Sequence, residues 1–131
     1  MVLPVTAVFA GLLALWLIFL QSRVIAFRGR RRVSLGDGGH EEGQRLIRAH
    51  GNAAETIPIF VILLGLGEGM GAPGWVVALL GLAFLVGRVL HGLQFVLDLP
   101  GFAFRMWGMI LTLSATGLAA VGAIGHGLAE L

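Results

Sequence analysis

The sequence contains no cysteine, no tyrosine and no lysine among its 131 residues, and only 12% of the residues are charged. Without cysteine, the chain has no disulfide framework, no thiolate metal ligand and no cysteine nucleophile of its own. The charged share is about half that of an ordinary soluble domain. Apolar residues make up 57% of the chain and the mean hydropathy is +0.93. Because a soluble fold of this size cannot bury so much apolar surface, the composition predicts an integral membrane protein.

Four stretches of the sequence are predicted to cross a membrane. They lie at about 2–22, 45–67, 75–97 and 106–125, and the first and last carry no formal charge. A membrane-spanning helix needs roughly 20 mainly apolar residues. The apolar run 57–67 is too short by itself, so the second span requires a helix that starts near Arg45 and carries Arg48, Asn52 and Glu55 in its first half. We therefore predict an all-α fold, an integral membrane four-helix bundle that forms one domain over residues 1–131.

Small residues repeat every four positions along the fourth span, at Ala115, Ala119, Ala123 and Gly127. Such stripes let helix backbones approach closely in lipid. The stripe fits two arrangements equally well, packing within one chain or packing between copies. Because four short spans enclose little interior, we expect a homo-oligomer.

The arginines are concentrated on one side of the predicted membrane topology. Five of them precede the second span, at Arg23, Arg28, Arg30, Arg31 and Arg32. Arg105 follows the loop between spans three and four, whereas the opposite side offers Glu68, Glu130 and no arginine. The positive-inside rule places both arginine-bearing loops in the cytoplasm and both termini outside. The use of arginine without any lysine suggests a bacterial source, and so an inner membrane. We expect the cluster to meet anionic lipid headgroups rather than nucleic acid.

Charged and polar residues within the second span share one helix face. Arg48, Asn52 and Glu55 follow an i, i+4, i+7 spacing, and Arg45 lies one turn earlier on the same side. A charged group at mid-membrane costs ~2.5 to 3.5 kcal/mol on insertion scales. These side chains are therefore expected to face protein, water or a ligand rather than lipid.

The third span adds polar residues at the same depth. Arg88, His91 and Phe95 also share a helix face, and the topology places them in the cytoplasmic leaflet with the polar half of span two. Three spans then direct a surplus of positive charge to one place, which suits a small polyanionic ligand. The alternative interpretation is an internal Glu55–Arg88 ion pair, with Arg48 and Arg105 reaching the headgroups.

The second span also resembles a known signature. Arg45, Arg48, Ala49, Asn52, Glu55 and Pro58 match the Arg-x-x-Arg-Ala-x-x-Asn-x-x-Glu-x-x-Pro pattern of the MAPEG family, the membrane-associated proteins in eicosanoid and glutathione metabolism. The Leu35-Gly-Asp-Gly-Gly39 segment and the Gly87-Arg88-x-x-His91 segment resemble the small bacterial branch of that family. This resemblance covers nearly the whole chain.

The resemblance implies a homotrimer that binds glutathione, as co-substrate and without a metal, between neighbouring subunits. The implied glutathione-binding residues are Arg45, Arg48, Asn52, Glu55 and Arg88, and the implied catalytic residues are Arg105 and His91. Arg105 would stabilise the glutathione thiolate, and His91 would act as a base or donor. The expected reaction is a glutathione transferase or peroxidase reaction on a hydrophobic electrophile or lipid peroxide taken from the bilayer.

The sequence departs from the eukaryotic members of the family. Where those members carry tyrosines, this chain has Thr56, His91 and Phe95. A tyrosine-assisted reaction is therefore excluded, and a non-catalytic structural or scaffold protein with a degenerate anion site is an alternative.

Two further classes of function fit the sequence less well. A small proton-coupled transporter would need an acidic residue in the first span, which has no ionisable group. The start of span two has several residues of types that bind metal ions, at His40, Glu41, Glu42 and His50. Scattered residues of this kind beside a helix start are usually solvated, and we expect no metal.

Overall fold

The computed structural model describes residues 2–131, and within that range the chain is helical without strands. It contains α1 (Pro4–Arg31), α2 (Glu41–Gly69), α3 (Gly74–Val96) and α4 (Ala103–Ala129). Each helix is long and apolar enough to cross a membrane. The predicted all-α, four-span architecture is thus confirmed.

The helices extend beyond the predicted spans, most clearly at the end of α1. Val24 and Phe27 are buried against Leu46 of α2, and this apolar contact continues the helix for about two turns past the first apolar run. Four of the five arginines assigned to the first loop therefore lie on α1. The fifth, Arg32, ends the helix in a left-handed conformation with φ 54°.

The connections between the helices are short, so consecutive helices run in opposite directions. The ends of α1 and α3 and the starts of α2 and α4 consequently lie on one side, which we name the arginine end of the bundle. α2 and α3 each contact all three of the other helices, whereas α1 and α4 do not touch within the described residues. The arrangement makes α2 and α3 the central pair of the bundle.

The apolar core runs through the middle of the bundle. Its largest buried aromatic pair is Phe60 of α2 and Phe84 of α3, whose rings stack with centroids 3.8 Å apart. Ala115 and Ala119 of the small-residue stripe are buried in the same core. The first half of that stripe therefore packs within the chain.

Two glycines bring α3 and α4 into backbone contact near the arginine end. A Cβ atom added to Gly87 would lie 2.8 Å from the carbonyl oxygen of Gly108, and one added to Gly108 would lie 2.7 Å from the carbonyl oxygen of Gly87. No larger side chain fits either position without moving a backbone. The close approach brings Arg88 of α3 beside Thr112 of α4, and so builds part of the site described below.

Glu68 connects two helices at the opposite end of the bundle. The sequence alone indicated only that this acidic residue lies on the side without arginines. Its carboxylate accepts hydrogen bonds from the backbone N–H groups of Val5 (3.0 Å) and Thr6 (2.7 Å). The first N–H groups of a helix have no partner inside the helix, and a negative charge is favourable there. Glu68 therefore joins the end of α2 to the beginning of α1.

Candidate functional site

A cavity of about 420 Å³ opens at the arginine end between α2, α3 and α4. Its lining residues are Arg48, Asn52, His91, Phe95, Phe102, Arg105, Met106 and Met109. Polar groups thus come from three different helices, while the aromatic and methionine side chains form apolar walls. The volume is suited to a small peptide-sized ligand.

The polar face of α2 supplies one wall of this cavity. Arg48 and Asn52 line it directly, and the carboxylate of Glu55 lies 3.9 Å from the Arg48 guanidinium. The side chains of Arg48 and Glu55 are 63% and 62% exposed. The i, i+4, i+7 spacing therefore places the three residues together, with two of them facing outward from the bundle.

The lining supplied by α3 and α4 combines an arginine with two rings. Arg105 lies in the first turn of α4, and its guanidinium carbon is 5.2 Å from the ring centroid of Phe95. The ring of His91 lies 5.2 Å from that of Phe95, at a tilted angle. A cation in the first turn of a helix is unfavourable by itself, because that end of the helix already carries partial positive charge. A bound anion would relieve both charges at once.

Arg88 lies behind the cavity wall and does not line the cavity. The residue is only 1% exposed, and its guanidinium reaches α2 and α4 from α3. It donates to the Thr112 hydroxyl (3.0 Å), the Thr56 hydroxyl (3.3 Å) and the Asn52 side-chain oxygen. Within residues 2–131 it pairs with no carboxylate, so the alternative Glu55–Arg88 ion pair does not form. Asn52 and Thr56 accept hydrogen bonds from Arg88 instead of Glu55, whose carboxylate lies beside Arg48.

Arg45 is directed away from the cavity. Its guanidinium lies 3.0 Å from the carboxylate of Asp98, which follows the end of α3. This ion pair links α2 to the loop between α3 and α4, next to the segment that carries Phe102 and Arg105. Arg45 thus joins α2 to this loop rather than lining the cavity.

The cluster considered for a metal is divided among other contacts. Glu42 pairs with Arg30 (2.5 Å) and Arg31 (3.7 Å), and the His40 ring packs edge-on against Phe27. Among residues 2–131, no group of three or more histidine or acidic side chains is placed to hold a metal ion.

Comparison with known proteins gives the family. The MAPEG family model matches residues 6–125, nearly the whole length of the four helices. The chain belongs to the MAPEG family. Its relatives include the inner membrane protein YecN of Escherichia coli strain K12, which is 42% identical over 108 residues, covering 82% of this chain and 81% of YecN. YecN of Escherichia coli O6:H1 (strain CFT073) matches to the same extent. The resemblance found in the sequence is thus confirmed.

In this MAPEG protein, the matched signature of α2 falls at the cavity. Arg48 and Asn52 line it and Glu55 lies beside Arg48, whereas Arg45 pairs with Asp98 outside the lining. Four apolar helices and an inner-membrane relative fit an integral membrane protein.

Sequence reasoning missed several residues that complete the site. Met109 and Thr112 follow Arg105 by four and seven positions, so helical spacing alone places them on the face of α4 that carries Arg105. Thr56 follows Asn52 by four positions on α2 in the same way. Phe102 precedes α4 in an irregular segment, and no periodic signal identifies it.

Proposed function

We propose that this MAPEG protein binds glutathione in the cavity at the arginine end and uses it as co-substrate in a transferase or peroxidase reaction. The observation that carries the proposal is the meeting of Arg48, Asn52, His91 and Arg105 around one cavity of about 420 Å³. Glutathione has two carboxylates, which suit the guanidinium groups of Arg48 and Arg105. Its ammonium group suits the carboxylate of Glu55.

Since the chain has no cysteine, a reactive thiol would have to come from the ligand. When bound, glutathione would supply a thiolate that displaces a leaving group from an electrophilic carbon. On a peroxide, the thiolate would attack one oxygen, break the O–O bond and release an alcohol, and a second glutathione would convert the resulting sulfenic acid to glutathione disulfide and water. A free thiol has a pKa of about 8.5, and lowering it by two units requires ~2.7 kcal/mol. One cation about 4 Å from the sulfur supplies up to ~4 kcal/mol in a partly screened site. Arg105 would provide this charge, with His91 as a hydrogen-bond donor or base.

The apolar side of the cavity suits a hydrophobic second substrate. Phe102, Met106 and Met109 line it, and Phe102 and Met106 are exposed on the single subunit. An electrophile or lipid peroxide dissolved in the bilayer would approach the sulfur along this side, where methionine side chains adapt to varied shapes.

A homotrimer would complete the site. Arg48 and Glu55 are exposed on a helix that crosses the membrane, and Ile59, Ile62 and Leu66 continue the exposed surface of α2. Leaving charged groups against lipid costs ~2.5 to 3.5 kcal/mol each. A neighbouring subunit packed on this surface would remove that cost and close the cavity on its open side.

We place the arginine end in the cytoplasm and both termini outside the inner membrane. All nine arginines lie in the half of the bundle nearest the arginine end, and the other half has none. The positive-inside rule favours that orientation, and the exposed arginines at the end of α1 would contact anionic lipid headgroups.

The experiment that tests the proposal is calorimetric titration of the purified protein in detergent with glutathione. We expect saturable binding that is strongly weakened in Glu55→Gln, because the ammonium group loses its partner. Absence of binding at millimolar glutathione would contradict the proposal. Binding without turnover of any hydrophobic electrophile or lipid peroxide would favour the scaffold alternative.

A further inference from the structure

The two threonine hydroxyls that contact Arg88 can act toward it only as hydrogen-bond acceptors. The Thr112 hydroxyl donates its proton to the carbonyl oxygen of Gly108 (2.7 Å), and the Thr56 hydroxyl donates to the carbonyl oxygen of Asn52 (2.8 Å). Each hydroxyl therefore presents a lone pair to the guanidinium. Arg88 is thus held in place from α2 and α4 by acceptors whose orientation is fixed by the helix backbones.

This arrangement determines which way the Asn52 amide points. A guanidinium carries only donors, so the atom of Asn52 that meets Arg88 has to be the amide oxygen. The amide N–H2 group then lies on the other side of the planar amide. Asn52 lines the cavity, and no acceptor within residues 2–131 takes a hydrogen bond from its nitrogen.

We infer that Arg88 is a positioning residue that turns the N–H2 group of Asn52 into the cavity, so that Asn52 donates to a carboxylate or carbonyl oxygen of the ligand. The inference rests on the proposed function for the identity of that ligand. It assigns to Arg88 a role through Asn52 rather than direct ligand contact, since Arg88 is 1% exposed and outside the cavity lining. Arg48, Arg105 and Asn52 would then all present donors, which selects a ligand rich in acceptor oxygens.

The contact itself is tested without ligand, by comparing the melting temperatures of Asn52→Asp and Asn52→Leu in detergent. Aspartate keeps an oxygen toward Arg88 and adds a counter-ion, whereas leucine removes an acceptor from a buried cation. We expect Asn52→Leu to melt at least about 3 °C below Asn52→Asp. Equal melting temperatures, or a more stable Asn52→Leu, would overturn the inferred contact.

The direction of the amide is tested by glutathione titration of Asn52→Asp. This variant keeps the size of the side chain but replaces the donor with a carboxylate oxygen. We expect binding at least tenfold weaker than in the unmodified protein. Unchanged or tighter binding would mean that Asn52 offers its oxygen to a cationic group, which would overturn the inference.

The positioning role is tested by a double-mutant cycle between Arg88→Lys and Asn52→Ala. Lysine keeps the charge but cannot reach Thr112 and Asn52 together, because its three donors sit on one atom. We expect Arg88→Lys to weaken glutathione binding about tenfold alone and less than twofold when Asn52 is alanine. Equal effects in both backgrounds would show that Arg88 acts through the packing of the bundle alone.

Arg31→Lys serves as the matched control, since Arg31 is an exposed arginine outside the cavity. We expect it to leave glutathione affinity unchanged. If the unmodified protein shows no glutathione binding, the proposed function fails, and the ligand-free comparison still decides whether Arg88 holds Asn52.

Discussion

The guanidinium carbon of Arg105 lies 5.2 Å from the centre of the Phe95 ring. This distance is within the range of a cation–π interaction, which is worth about 0.5 to 2 kcal/mol depending on exposure. Phe95 offers Arg105 an aromatic ring that carries no hydroxyl group. The ring thus orients Arg105 along the cavity wall without competing for a bound anion.

Removing the Arg105 charge is expected to make the bound thiol less acidic. In Arg105→Leu, the thiolate of glutathione loses a nearby positive charge, so the pKa of the bound thiol rises by about 1 to 3 units. The measurement is the pH midpoint of thiolate absorbance near 240 nm in the presence of the protein. Arg31→Leu is the control, and it should leave the midpoint unchanged. An unshifted midpoint in Arg105→Leu would show that Arg105 does not stabilise the thiolate.

Removing Arg48 is expected to weaken glutathione binding far more than removing Arg31. Arg48 lines the cavity, whereas Arg31 lies outside it near Glu42. A charge-assisted hydrogen bond contributes about 1.5 to 3 kcal/mol, so Arg48→Ala should raise the dissociation constant roughly 10-fold or more. Titration calorimetry of both variants makes the comparison, and equal effects would contradict the assignment of the site.

The fold follows closely from the order of apolar runs, because each break is marked by glycine, proline or charge. The apolar run 57–67 is too short to span alone, and α2 reaches a spanning length by including the polar residues before it. Helical spacing also brings Arg48 and Asn52 to one face, and topology places His91 at the same end. Spacing does not state which neighbouring helix a face will meet. That depends on how each helix is rotated, which is set by contacts such as the one between Gly87 and Gly108.

The contacts of Arg45 and Arg88 show that helical spacing alone does not identify a residue's partner. The sequence grouped Arg45 with the cavity, but the start of α2 is turned so that Arg45 meets Asp98. It also left open a pairing of Arg88 with Glu55, whereas hydroxyl and amide oxygens surround Arg88. The sequence therefore brings these polar residues to one end of the bundle but does not identify their partners.

Neutralising Glu68 is expected to destabilise the end of the bundle opposite the cavity. Glu68→Gln replaces a carboxylate that accepts two backbone N–H groups of α1 with an amide, which has one oxygen. The loss should be about 1 to 2 kcal/mol, seen as a lower melting temperature in detergent. Glu130→Gln, beyond the end of α4, should leave the melting temperature unchanged. Glutathione affinity should be retained in both variants, because neither residue lies near the cavity.

The proposed assembly predicts a mass of three chains for the protein in a mild detergent. The exposed charged pair on α2, Arg48 and Glu55, would be covered only when subunits associate. Native mass measurement gives the number of chains directly. A stable monomer that still binds glutathione would contradict the shared site, because the cavity would then function with its open side against detergent.

The backbone contact between α3 and α4 predicts that Gly108→Ala disturbs both stability and the site. An added Cβ atom would lie 2.7 Å from the Gly87 carbonyl oxygen and 2.8 Å from the backbone nitrogen of His91, so the two helices would have to separate. Forcing extra volume into packed helices costs about 1 to 3 kcal/mol. Because the separation would also draw Thr112 away from Arg88, we expect weaker glutathione binding together with a lower melting temperature. The control is Gly117→Ala on the same helix, where an added Cβ meets nothing within 4 Å. If both variants behaved alike, the close approach would have no part in building the site.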